Sequence, residues 1–140
     1  MMQNQPLEFW RCIMAKVHHV SDVHPEPMLD GVTMRVVIGP AEGAPVFNMR
    51  IFEVQPGKTT PFHQHWWEHE VYILEGTAVL KQEGHETPLV PGTAILVERN
   101  EKHQFVNTGT GVMRFMCLVP QDWLEHMDRD SCSGSGAVCC

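Results

Sequence analysis

The 140-residue chain has the length of one domain with a substantial core. Hydrophobic residues at 43% against 19% charged place it among globular rather than disordered proteins. A net charge of −7 leaves no basic footprint for nucleic acid or an anionic membrane surface.

No apolar run approaches the ~20 residues of a membrane span, and no secretion signal opens the chain. The five cysteines are Cys12, Cys117, Cys132, Cys139 and Cys140. Their odd number and their position toward the ends do not form a disulfide framework. Together these features lead us to expect a cytoplasmic protein without nucleic-acid or membrane partners.

Residues 1–13 have no clear period, and Met14 reads like a second beginning. The segment is either an upstream extension or an N-terminal arm packing Phe9 and Trp10 on the domain. The domain itself is expected over 14–127, with its core at 32–120. From Val32 the texture changes to short β-rich runs: 32–39, 47–55, 70–76, 77–82, 93–98, 103–107 and 112–119, separated by turn residues. Short strands with turns every eight to twelve residues predict an all-β sandwich or barrel. Residues 121–128 suit a short C-terminal helix. The tail 128–140, rich in Gly and Ser and carrying Cys132, Cys139 and Cys140, is predicted to be flexible.

Histidines gather in one place. His63 and His65 alternate with Gln64, so on an extended chain they share a face; His69 and His103 follow. Neutral imidazoles in such a group suit Zn, Fe, Ni, Cu or Mn ions. Four buried rings without a metal would be a costly polar cluster. His18, His19, His24, His85 and His126 read as surface residues.

The spacing around these histidines resembles the two motifs of the cupin superfamily. The first runs Gly57, five residues, His63-Gln64-His65, three residues, His69, six residues, Gly76. The second runs Gly92, five residues, Glu98-Arg99-Asn100, two residues, His103, three residues, Asn107. His69 occupies the slot of the family's usual glutamate, with Glu70 as the alternative. The six-residue count to Gly76 favours His69. Glu98 and Asn100 replace the family's Pro and Gly, and Asn tolerates a left-handed backbone well enough to keep the turn.

The resemblance implies a single cupin β-barrel, a double-stranded β-helix or jelly roll, holding one divalent transition metal on His63, His65, His69 and His103. Likeness to small four-histidine, manganese-bound cupins favours Mn or Fe, with Zn, Ni and Cu open. It also implies a homodimer. Phe62, Trp67, Phe115 and Cys117 are the candidate substrate-pocket residues; Cys117 has no activating base beside it and is not expected to be a nucleophile. Tyr72 and Glu70 are weak acid–base candidates. Arg50 is a candidate for orienting an anion, although a solvated strand face is its default. Four neutral ligands would leave the ion's full charge in the pocket and favour an anionic or enolisable small molecule. The expected activity is therefore a dioxygenase-like oxidation. Its alternatives are Lewis-acid isomerisation or cyclisation, and non-catalytic, metal-anchored binding of a small molecule such as a sugar acid.

Overall fold

The computed structural model describes residues 14–124. The expectations for the N-terminal segment, the rest of the C-terminal helix and the cysteine tail lie outside those residues.

Among the described residues, nine strands form two sheets. They are β1 (Glu26–Leu29), β2 (Val32–Ile38), β3 (Phe47–Val54), β4 (His69–Glu75), β5 (Ala78–Gln82), β6 (His85–Leu89), β7 (Ala94–Val97), β8 (Gln104–Asn107) and β9 (Met113–Pro120). The larger sheet has the order β1-β2-β3-β9-β4-β7 and the smaller β6-β5-β8, and every strand pairing in both is antiparallel. A jelly roll of two facing antiparallel sheets buries one face of each. The alternation is regular in β9, where Met113, Phe115, Cys117 and Val119 are buried and the residues between them are not. Phe115 stacks on Phe52 of β3 at 5.0 Å and on Phe105 of β8 at 4.8 Å. These three rings join the two sheets through the core.

Two strands were not expected. β6 falls among the turn residues between the expected runs 77–82 and 93–98, and β1 precedes the first expected run at Val32. Each carries a proline, Pro88 and Pro27, and each is an edge strand of its sheet. An edge is where a missing N–H costs no ladder bond, so proline concealed both from a reading by propensity. The expected C-terminal helix begins as a single 3-10 turn, Gln121–Leu124. The Gln121 N–H donates to the Val46 carbonyl at 2.8 Å, which holds that turn to the start of β3.

Two left-handed backbone positions shape the turns around these strands. Asn100 has φ +61°, the left-handed conformation that Asn tolerates, and its N–H donates to the His65 carbonyl at 2.7 Å. The turn thus survives without glycine and tethers the loop carrying His65. Gly76 has φ +85°, and a Cβ there would stand 2.7 Å from the Val112 carbonyl oxygen. Only glycine fits between β4 and β9 at that point.

Candidate metal centre

From His63 to Ile73, odd-numbered side chains are buried and the even-numbered ones are not. This one alternation carries His63, His65, Trp67 and His69 inward, and Phe62, Gln64, Glu68 and Glu70 outward. His103 arrives from the other side, just before β8. It pairs with His63 as an isolated antiparallel bridge. All four rings are buried, with His63 the most accessible at 7%.

His63, His65 and His103 each offer a nitrogen within 4.8 Å of the others. Two metal–nitrogen bonds of ~2.1 Å reach at most ~4.2 Å, so shifts of a few tenths of an ångström would let one ion bind all three. The His69 ring packs against this trio, 4.3 Å from His65 and 5.2 Å from His103 between centroids. Its Nε2 lies in direct contact with Nε2 of His65.

The donor chemistry fits a metal. Nδ1 of His65 is 2.7 Å from the Trp67 carbonyl and Nδ1 of His103 is 2.8 Å from the Glu101 carbonyl. A carbonyl only accepts, so each Nδ1 carries the proton and each Nε2 keeps a lone pair. Nε2 of His103 is buried with no hydrogen-bond partner among the described residues, an arrangement that an ion would satisfy. Burial holds the rings neutral, as ligands must be. It lowers His63 to about 4 and His65 to about 3, aided by the charges of His103 and Arg50. His69 and His103 are lowered for the same first cause.

Around the rings, Trp67 stacks on His65 at 4.0 Å with the planes 4° apart, fixing that ring by dispersion. Cys117 is fully buried, with Sγ 2.9 Å from Nδ1 of His69 and 3.1 Å from Nη2 of Arg50. Burial pushes its thiol up, with Arg50 opposing.

The other sequence candidates are placed differently. Phe62 is half exposed and lines a surface pocket with Lys81, Gln82, Gly84, His85, Glu86 and Gln104, none of them from the histidine group. Its even-numbered position turns it away from the rings. Phe115 stacks in the phenylalanine core described above. Glu70 and Tyr72 are exposed and line a depression on the outer face of the larger sheet with Leu96, Met116 and Leu118; on that face neither is an acid or base for the histidine site. His18, His19, His24 and His85 are exposed, as expected; His126 lies outside the described residues.

Arg50 departs most from expectation. It has no exposed surface and shares the inward face of β3 with Asn48, Phe52 and Val54. The guanidinium carbon lies 5.1 Å from the Phe52 ring centroid, a cation–π distance. The default for arginine on a strand is solvent. The alternation with Phe52 and Val54 was the signal for burial.

A double-sheet barrel with histidines converging at one end is the architecture of a cupin. The cupin-domain family model matches residues 50–119, and the chain belongs to that family. Among solved structures it is similar to the polyketide cyclase RemF from Streptomyces resistomycificus, with 38% identity, a TM-score of 0.70 and coverage of 76% of this chain and 80% of that one. It is 27% identical over 116 residues to the tetracenomycin polyketide synthase protein TcmJ of Streptomyces glaucescens, covering 79% of this chain and 78% of the relative. Protein SchB of Streptomyces halstedii is 26% identical over 121 residues, covering 83% and 88%. Among the described residues, no helix is long and apolar enough to cross a membrane.

Proposed function

We propose that this cupin is a metal-dependent cyclase acting on an enolisable poly-β-carbonyl chain, closing a ring by carbon–carbon bond formation with loss of water. The observation that carries the reading is the convergence of His63, His65 and His103 on one point, in a chain 38% identical over most of its length to a polyketide cyclase. The proposal takes up the Lewis-acid alternative in place of dioxygenase-like oxidation. Ring closure with loss of water is redox-neutral and needs no oxidant.

His63, His65 and His103 would hold the ion, with His69 as a fourth ligand. A bound divalent ion supplies Lewis acidity, favouring the enolate over the parent ketone. The chain's own residues support the same outcome. The four imidazoles are neutral and bring no negative charge, while the Arg50 guanidinium adds a fixed positive charge behind them. That electrostatic bias attracts an anionic or enolised substrate group. Trp67 and the phenylalanine core exclude water behind the rings, which strengthens every charge interaction there.

The test is incubation of the purified protein with a synthetic linear polyketide thioester, followed by liquid chromatography and mass spectrometry. Loss of water from the substrate, abolished by chelation and unchanged under anaerobic conditions, is expected. Oxygen uptake with incorporation into product would restore the oxidative reading. Saturable binding of substrate or of a sugar acid with no turnover would favour the binding module. Elemental analysis of protein purified without added metal identifies the ion.

A further inference from the structure

Two of the histidines have a tautomer fixed by a backbone carbonyl, and His69 does not. His65 and His103 each donate from Nδ1 to a backbone carbonyl, so their Nε2 lone pairs are preset. His69 instead meets a sulfur, Cys117 Sγ at 2.9 Å, and a thiol both donates and accepts.

We propose that Cys117, held in place by Arg50, is a positioning residue that selects the His69 tautomer and thereby decides whether His69 joins the other three rings on the metal. The inference rests on the metal site read above. Arg50 has only donors, so its Nη2 at 3.1 Å makes the sulfur an acceptor on that side. The single thiol hydrogen then has two destinations, Nδ1 of His69 or the Leu118 carbonyl at 4.0 Å.

In the first arrangement the thiol donates to Nδ1 of His69. The His69 proton then sits on Nε2, facing the lone pair of His65 Nε2 with which it is in contact. This arrangement closes the metal-free site with hydrogen bonds. In the second, the thiol turns to the Leu118 carbonyl, Nδ1–H of His69 donates to the sulfur, and Nε2 presents a lone pair. The imidazole stays neutral and the thiol keeps a proton throughout; only the nitrogen that bears the imidazole proton changes. A carbonyl in place of Cys117 would permit the second arrangement alone. An aliphatic side chain would leave a buried N–H unpaired in that arrangement and so disfavour it.

The test uses full-length chain labelled with 15N-histidine and zinc(II) as a diamagnetic probe. Long-range 1H–15N correlation spectra report which nitrogen carries each proton. Between the metal-free and zinc-loaded states, His69 is expected to move its proton from Nε2 to Nδ1, while His65 and His103 keep theirs on Nδ1. Zinc affinity, read by competition with a chromophoric chelator, is expected to weaken about tenfold or more in Cys117→Ala and to return in Cys117→Ser, whose hydroxyl also donates and accepts. The proposal is overturned by the same His69 tautomer in both states, by unchanged zinc affinity in Cys117→Ala, or by failure of Ser to rescue a folded protein. If a variant does not fold, the wild-type spectra alone decide. None of these readouts uses turnover, so a protein that switches tautomer but cyclises nothing would sink the functional reading and leave this one standing.

Discussion

His63 and His103 exchange backbone hydrogen bonds in both directions, at 3.1 and 2.9 Å, and their rings stand 4.9 Å apart. This single bridge brings residues forty positions apart in sequence to one point. The bridge is made by backbone atoms, so a side-chain change should remove a ligand without dissolving the geometry. We expect His63→Ala and His103→Ala each to lose bound metal by elemental analysis while keeping the far-ultraviolet circular dichroism of the parent. Chelation of the parent should lower its melting temperature. An ion at a hundred times its dissociation constant stabilises by about 2.7 kcal/mol.

Glu70 provides the contrast. It sits beside His69 in β4 but faces outward. Glu70→Gln should therefore retain the parent's metal content, whereas His69→Ala should weaken binding by about tenfold or more. Metal content measured after dialysis separates the two. A Glu70 variant that loses its ion would return the fourth position to the carboxylate.

Acid should destabilise the metal-free chain. His63 and His65 titrate at about 4 and about 3 when folded, against 6.5 for an ordinary histidine, so the unfolded chain binds more protons between those limits. Stability is then complete above about pH 6.5 and declines as pH falls toward the folded values. The slope reaches about 1.4 kcal/mol per pH unit for each such ring. Urea titrations of chelator-treated protein at pH 7.5 and pH 5 should show a lower midpoint at pH 5. Equal midpoints would mean that the rings are not buried in neutral form.

Gly76→Ala combines two costs. The left-handed backbone disfavours any Cβ by about 1–2 kcal/mol, and the Val112 oxygen at 2.7 Å is main chain, which cannot rotate away. We expect a loss of about 3 kcal/mol or more in chemical denaturation. Gly84, with φ +69° and nothing within 4 Å of an added Cβ, isolates the first cost, and Gly84→Ala should lose only that part.

Phe115→Ala should act on stability and not on metal. Its ring contacts are with Phe52 and Phe105, and deleting such a ring typically costs about 3–5 kcal/mol. The variant should melt much earlier yet bind zinc with the parent's affinity at low temperature. A specific loss of affinity would bring Phe115 back to the metal as a pocket residue.

Much of this was legible before any fold was known, because strand periodicity and ligand spacing are local. A period of two put His63 and His65 on one face and the count to Gly76 selected His69, whereas grouping Phe62 with Trp67 in one pocket overlooked that the same period turns them apart. The turn at Asn100 was legible too, because left-handed tolerance is a property of the residue itself. Pro27 and Pro88 hid two strands because propensity cannot say which strand will lie at an edge. What the tertiary structure alone decided was the company each side chain keeps. Arg50 reads as a solvated residue until β9 places Cys117 opposite it, and Cys117 reads as a pocket residue until β4 delivers His69 to its sulfur. Those contacts join residues far apart in the chain through antiparallel register, and no local period encodes which strands will be neighbours.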